Sequence, residues 1–599
     1  MPASSRPYMG ATPYDSGVTF RVWAKFASAV SVVGDFSAAP IPLFSEGHGY
    51  WSVDVPGAKV DQLYHFLITN SPSGAVLRRV DPYCRAFRTP GGDSLIAPSD
   101  TAYPLLPYST PPWHELVIYE LHIGTFVPDL SLSTPGGTFA SAATKLDYLQ
   151  SLGINAIEVM AAGEFITDTS WGYNPAYIFA IDERYGGPDG FRQFVQQAHQ
   201  RGIAVIMDVV FNHLGYPAGD MWQFDGWNQN NKGGIYFYND GRSITPWGDT
   251  RFDYGRPEVR DYLFDCARRW LQQRFADGLR WDATGYIRNV YGNNNDPNND
   301  IPDGWSLMQG INDEIKQSQP WKISIAEDMQ GNEWITKPTN QGGAGFTSQW
   351  EAQFVHAVRD AIITPNDSDR SMPAVAAALT HTYNADVLQR VIYTESHDED
   401  ANGHQRVPEE IWPGHPASVY SQKRSTLGGS LVFTIPGIPM IFQGQEFLES
   451  GYWSDRTPLD WSKAATFAGI LNLYRDLIRF RRNWFNNTGG LRGQNLNVFH
   501  VNDAAKVLAF HRWDQGGPGD DVVVILNFAN QSYDSYLLGF PRAGLWRLRF
   551  NSDWNGYSPA FSNYPAFDTA AADPPRDNLP SSASVSLGPY TALLFSQDR

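Results

Sequence analysis

The chain is poor in cysteine: Cys84 and Cys266 are its two, far apart and in no CxxC or Cys/His spacing. That excludes a disulfide framework, and with it a structural zinc or a dithiol redox pair. Basic residues are in the minority, 45 Lys and Arg against 63 Asp and Glu for a formal net charge of −18, and no Lys/Arg cluster is long enough to neutralise a run of phosphates. Nucleic acid is thereby excluded as a partner, and a neutral ligand suits the surface better than an anionic one. Long apolar runs are missing too. The opening MPASSRPYMGATPYD holds no apolar leader segment, and the longest apolar stretch, LVFTIPGIPMIF, is broken by Pro436, Gly437 and Pro439. Neither a membrane span nor a secretory leader is expected, although a mature form with its leader removed would read the same; the expected location is the cytoplasm. What the chain has in quantity is core-forming material, 42% hydrophobic and 14% aromatic residues, which excludes wholesale disorder.

Three rhythms follow one another along the 599 residues. The first hundred or so alternate short β-rich runs (GVTFRVWAK, AVSVVGDFS, GYWSVDVPG, LYHFLITN) with Gly, Pro and Ser turns, which reads as a small β-sandwich. A Pro-rich hinge, Tyr103–Trp113, leads into apolar strands alternating with amphipathic helices such as GPDGFRQFVQQAHQRG and EVRDYLFDCARRWLQQRF. Candidate strands end at Glu120, Glu158, Asp208, Asp282, Glu327, Trp350, Asp398 and Gln443, the number that a closed (β/α)8 barrel needs. Beyond about Arg479 short strands return (NVFHV, VLAFHRW, DVVVILNFA, TALLFS). The expected class is therefore α/β, a (β/α)8 barrel over 113–479 flanked by an N-terminal β-sandwich over 1–102 and a C-terminal antiparallel β-domain over 480–599.

Asp282, Glu327 and Asp398 each follow a short apolar run, and residues just past the strands of such a barrel converge on its active rim. Cleaving a glycosidic bond with retention needs one carboxylate as nucleophile and one carboxyl group as acid and then base, ~5 Å apart. A third carboxylate can stabilise the oxocarbenium-like transition state, and in so crowded a group one carboxyl should keep its proton near neutrality. Arg280, two residues before Asp282, shares its strand face and can hold that carboxylate ionised. His213 and His397 read as neutral donors for sugar hydroxyls.

In this order, DVVFNHLG (208–215), GLRWDAT (278–284), AED (326–328) and ESHDE (395–399) resemble the four signature regions of the α-amylase superfamily, glycoside hydrolase family 13. Residue by residue, the resemblance implies Asp282 as nucleophile, Glu327 as acid/base and Asp398 as transition-state stabiliser. Asp208, His213, Arg280 and His397 would complete the −1 subsite over a Tyr173 platform. The N-terminal segment resembles the carbohydrate-binding module that precedes glycogen branching enzymes. IAEDMQGNEWITKPTNQGGAGFTSQW is similar to branching-enzyme sequence, while ELHIGTF and TPWGD are as much at home in maltooligosyltrehalose trehalohydrolases. Where amylases commonly carry Lys-His after the nucleophile this chain has Gly285 and Tyr286, which weakens a plain amylase reading. Asn212 stands at a calcium-ligand position of many amylases, but branching enzymes and trehalohydrolases generally keep the motif without the ion, so neither metal nor cofactor is expected.

Any one of these carboxylates alone would as readily be a cap or an ion-pair partner. The ordered set, with its Arg and His neighbours, is what carries the chemistry. His122 reads as hydrogen-bonded core, and ESHDED lacks the alternating spacing of a calcium loop. Trp171, Trp247, Trp281, Tyr286, Trp350 and Trp453 are candidates for stacking on sugar rings, about half of them expected to be core instead. The resulting expectation is a retaining enzyme on α-1,4-glucans (glycogen, starch, maltooligosaccharides), first a branching enzyme, then an amylase or trehalohydrolase, and remotely a non-catalytic glycan-binding scaffold. No nucleic acid or membrane partner is expected, and oligomeric state is not legible.

Overall fold

The structure, a computed structural model, describes residues 2–98, 108–131, 136–215 and 219–599. The Pro-rich hinge of the sequence reading lies in part outside the described residues.

A closed barrel of eight strands forms the centre: β1 (Ile118–Leu121), β2 (Ala156–Val159), β3 (Ala204–Val209), β4 (Gly278–Trp281), β5 (Ile323–Ala326), β6 (Ser348–Trp350), β7 (Arg390–Ile392) and β8 (Ile438–Phe442). Neighbours are parallel, and β8 closes onto β1 with Met440 beside Ile118. These strands are apolar almost throughout because both faces are covered, one by helices and one by the barrel interior. Alternation then sorts the residues. Ile118, Ala156, Ala204, Ile206, Ile323, Ile325, Val391, Ile438 and Met440 pack together inside, whereas Tyr119, Ile157, Val205, Met207, Leu279 and Trp281 join the layer that contains the helices. Above the apolar plug the same inward positions turn polar. Glu120 sits beside Glu158, and Asp208 beside Arg280, in register across adjacent strands.

Seven of the expected strand ends fall within a residue of the observed ones. The exception is β7, which stops at Ile392; Asp398 lies in the connection that follows rather than at a strand end. The helix expected around EVRDYLFDCARRWLQQRF runs Pro257–Arg268 and then widens into a π-helical turn, Arg269–Gln273.

The N-terminal module consists of a four-stranded and a five-stranded antiparallel sheet. It docks on the long connection after β3. The Phe26 N–H donates to Asp225 (2.8 Å), Arg79 Nε to the Phe224 carbonyl (2.7 Å), and Phe26 stacks on Trp227 with centroids 4.7 Å apart. The C-terminal domain has six-stranded and two-stranded antiparallel sheets. Buried cations tie it to the barrel, among them Lys423, whose Nζ pairs with Asp553 at 2.6 Å, and Arg512, whose Nη1 donates to the Thr434 carbonyl at 2.6 Å.

Candidate active site

Arg280 organises the barrel mouth. Its guanidinium is fully buried and lies 2.8 Å from Asp208 Oδ2, 3.2 Å from Asp282 Oδ1 and 3.0 Å from Glu327 Oε2. One cation shared by three carboxylates compensates a cluster that would otherwise repel itself. Asp282 Oδ2 also accepts from Asn212 Nδ2 at 3.0 Å. Glu327 Oε2 accepts the Ala283 N–H at 2.8 Å. That N–H points correctly because Ala283 adopts a left-handed backbone, φ 41°, unusual for a residue with a Cβ and the kind of strain that gathers at functional sites. Thr284 Oγ1 donates to the Glu327 carbonyl (2.8 Å), and Arg288 clasps the neighbouring Asp328 through Nε and Nη2 (2.6 and 2.9 Å), so the end of β5 is held from two sides.

Electrostatics separates the carboxyls. Burial, reinforced by Asp282 and Asp398 and opposed by Arg280, pushes Glu327 up to about 8, so it carries a proton at neutral pH. Burial and the Asp282 charge, opposed by Arg280, raise Asp208 to about 7. Tyr173 donates its hydroxyl to Asp208 Oδ2 (2.6 Å), while Asp208 Oδ1 is buried with no hydrogen-bond partner among the described residues.

Tyr173 stacks on His397, centroids 4.9 Å apart and planes 22° off parallel. His397 Nδ1 lies 2.5 Å from Glu120 Oε1, its backbone N–H donates to Glu120 Oε2 (3.2 Å), and its Nε2 lies 3.5 Å from Asp398 Oδ2. The sequence reading took this ring as neutral. Burial does favour the neutral form, but Asp398 and Glu120 outweigh it and raise the ring to about 9, so it is cationic. Asp398 keeps 41% of its side chain exposed, at the open side of the cluster.

Asp282, Glu327, Asp398, His397, Tyr173, Trp171 and Tyr286 share one cavity of about 970 Å³, together with Trp247, Asn402, Asp455 and Arg456. Arg280 and Asp208 do not line it; buried behind it, they hold Asp282, Glu327 and Tyr173 by the contacts above. His213 is placed differently from the expectation of a sugar-facing donor. It is fully buried, driven down to about 4 by burial, with Nε2 2.9 Å from the Tyr173 carbonyl and Nδ1 2.9 Å from Asn212 Oδ1. It braces Tyr173 and Asn212, and Trp247 stacks on its face at 4.7 Å. Trp281 does not reach the cavity. One residue on from Arg280 it faces the helices, fully buried between Phe211 and Phe346. Trp350 is likewise interior, beneath the Arg280 guanidinium (4.3 Å), and Trp453 is buried against Trp171. His122 is core, bonded to Thr125 and Ser170.

Sequence reasoning missed Glu120 and Glu158 as parts of this cluster. Glu158 is fully enclosed, burial lifts its carboxyl far above the usual range, and its Oε2 meets no partner among the described residues. Both stand one residue before the end of a barrel strand, as Asp208 does; Asp208 entered the sequence reading through the family resemblance, and strand-end position applied on its own terms would have gathered all three.

The geometry can be set against known proteins. Residues 83–242 and 218–505 match the family described as alpha amylase, catalytic domain; 499–598 match the alpha amylase C-terminal all-beta domain; and 8–84 match carbohydrate-binding module 48, the isoamylase N-terminal domain. The chain is 30% identical to a 1,4-alpha-glucan branching enzyme of Methylococcus capsulatus, over 92% of this chain and 76% of that one. It is 30% identical to that of Mycobacterium ulcerans, over 99% and 81%. Among solved structures, a pullulanase from Anoxybacillus sp. LM18-11 complexed with maltotriose aligns with TM-score 0.76 and 18% identity over 99% of this chain and 86% of that one. A type I pullulanase from Bacillus subtilis complexed with maltose aligns with TM-score 0.74 and 18% identity, over 100% and 86%. A catalytic-domain match over more than half its length, joined to matches at both ends, places this chain in the α-amylase family, glycoside hydrolase family 13, as an enzyme with the module 48 and C-terminal β-domains of that family.

Proposed function

We propose that the protein is a 1,4-α-glucan branching enzyme that cuts α-1,4 links and passes the severed chain to a 6-hydroxyl. The observation that carries this reading is the 30% identity to branching enzymes over at least 92% of the chain. Its substrates on this reading are glycogen, starch and maltooligosaccharides, its location the cytoplasm, and its catalytic portion 113–479, between an N-terminal module over 1–102 and a β-domain over 480–599.

In the first half-reaction the protonated Glu327 gives its proton to the glycosidic oxygen as the C1–O bond breaks, and Asp282 forms a β-glycosyl ester at C1. In the second, the acceptor hydroxyl gives its proton to the Glu327 carboxylate and attacks C1, releasing Asp282 with net retention. Asp398 carries negative charge toward the positive charge that develops on the sugar ring. Tyr173 supplies the platform under that ring, its hydroxyl fixed by Asp208 behind it, and Trp171 and Tyr286 flank it in the cavity.

The test is incubation with amylose, following reducing ends and the α-1,6 anomeric proton by NMR. New α-1,6 signal with few new reducing ends supports branching. Many reducing ends without α-1,6 linkages would overturn it in favour of hydrolysis, and release of free trehalose from maltooligosyltrehalose would then identify a trehalohydrolase.

A further inference from the structure

Outside the catalytic cavity, the C-terminal domain carries a groove of about 550 Å³ between the strand Gly544–Asn551 and the segment that follows it. Its walls include Arg549, Asn551, Trp554, Asn563, Tyr564 and Phe567. Trp554 is 50% and Phe567 71% exposed. Leaving two large rings in water forgoes the stabilisation that burial would bring, and exposed aromatics gathered at a groove mark an interaction site more often than scattered ones do.

The rings sit on a fixed support. Asp553, fully enclosed, pairs with Lys423 of the barrel helix Val419–Thr434 at 2.6 Å and accepts the N–H groups of Ser562 (3.1 Å) and Tyr564 (2.9 Å). Tyr557 donates its hydroxyl to Asp476 (2.8 Å), Ser558 donates to Gln422 (2.7 Å), and the Trp554 ring stands edge-on to Tyr557 with centroids 5.0 Å apart. Trp554 is thus held by a loop clamped to the barrel at three points. A preformed aromatic surface loses little freedom on binding.

The charges are already spoken for. Arg549 is paired with Asp598 and donates Nε to Ser596 Oγ (2.9 Å), the Tyr564 hydroxyl donates to Asp534, and Asp553 has Lys423. What the groove presents is aromatic rings beside the amides of Asn551 and Asn563, whose oxygens also accept the Asp553 and Asn555 N–H groups (2.9 and 3.4 Å). Rings for C–H faces and amides for hydroxyls suit a neutral polyhydroxylated chain, not an ion or a wholly apolar helix.

We propose that this groove is a second α-glucan site, holding a distant part of the same polymer while the barrel acts on another. It rests on the reading of the protein as an α-glucan enzyme. Two sites on one rigid body raise the effective concentration of polymer at the catalytic mouth.

The test uses the full chain and glycogen. Retardation in native gels containing glycogen gives an affinity for wild type, Trp554→Phe, Trp554→Ala and the Trp554→Ala/Phe567→Ala double variant, with kcat and KM measured on maltoheptaose and on glycogen. The expected result is about a tenfold loss of glycogen affinity in the double variant, a raised KM on glycogen with unchanged kcat/KM on maltoheptaose, and near-wild-type binding by Trp554→Phe. Equal glycogen affinity in wild type and double variant would overturn the site and leave the groove to a protein partner. Failure of wild type to turn over either substrate would sink the catalytic reading, while the gel shift would still decide the groove.

Discussion

At the residue scale the decisive asymmetry is between Asp282 and Glu327, two carboxylates on one guanidinium. Glu327, lifted to about 8, holds a proton in the folded state that it would release near 4.5 in the unfolded chain. A carboxyl raised by folding binds more protons folded than unfolded over that interval, so its contribution to stability falls as pH rises from about 4.5 toward 8. Glu327→Gln mimics the protonated form permanently. It should cut kcat by about a thousandfold or more and yet raise the melting temperature relative to wild type more at alkaline than at acidic pH. A variant equally shifted across the range would mean that Glu327 is not protonated in the native state. Glu120 acts one step back, through His397. Glu120→Gln removes the anion at Nδ1, so the ring should lose its charge at a lower pH than the native value of about 9. The expected loss in kcat/KM is roughly a hundredfold at about pH 8 and smaller at about pH 6, where the ring stays charged. Equal losses at the two pH values would show that the charge on His397 does no work.

At the scale of elements, the barrel was legible because its strands are continuous apolar runs with acidic residues just beyond them, and position past a strand is fixed by topology alone. Inward or outward direction also follows from alternation: Arg280 and Asp208 point in, and Trp281 must then point out. Reading Trp281 as a sugar-stacking residue ignored that parity. Less legible were contacts between loops and strands distant in sequence. Nothing in the text of the chain pairs Glu120 with His397, 277 positions apart, and without Glu120 the ring's charge could not be inferred. The strained turn at Ala283 was hidden too, since alanine carries no signal of left-handed backbone. That turn yields a prediction about the β4 connection. Ala283→Gly removes the Cβ penalty and should stabilise the fold by up to about 1 kcal/mol, whereas Ala283→Val should destabilise it and swing the N–H away from Glu327, lowering kcat by about tenfold. Thermal melts and kcat on the two variants check both halves, and a destabilised glycine variant would refute the claim of strain.

At the scale of the whole molecule, the question is what makes three domains one body. Apolar packing is continuous from the N-terminal module through the helix layer to the C-terminal sheet, since Phe20, Leu279 and Leu594 belong to one core cluster. Specificity of docking falls to buried polar contacts, because apolar surfaces alone tolerate many arrangements. Lys423 and Asp553 are the clearest case: their side chains are 6% and 0% exposed, and the carboxylate accepts from Ser562 and Tyr564 besides. Replacing Lys423 by Met keeps the aliphatic stem but leaves Asp553 as an uncompensated buried charge, at a cost of about 3–5 kcal/mol. Removing both charges together, Lys423→Met with Asp553→Asn, takes away the unpaired buried charge; the single amide oxygen keeps only one of the two N–H groups that Oδ1 and Oδ2 accept, so part of that loss should be recovered. Because neither residue lines the catalytic cavity, kcat on maltoheptaose well below the melting transition should stay near wild type in both variants, while glycogen affinity falls with the single substitution as the clamp beneath Trp554 loosens. Denaturant unfolding of the wild type, both single variants and the double variant gives the coupling energy of the pair. A coupling near zero would place the domain junction in the apolar core alone.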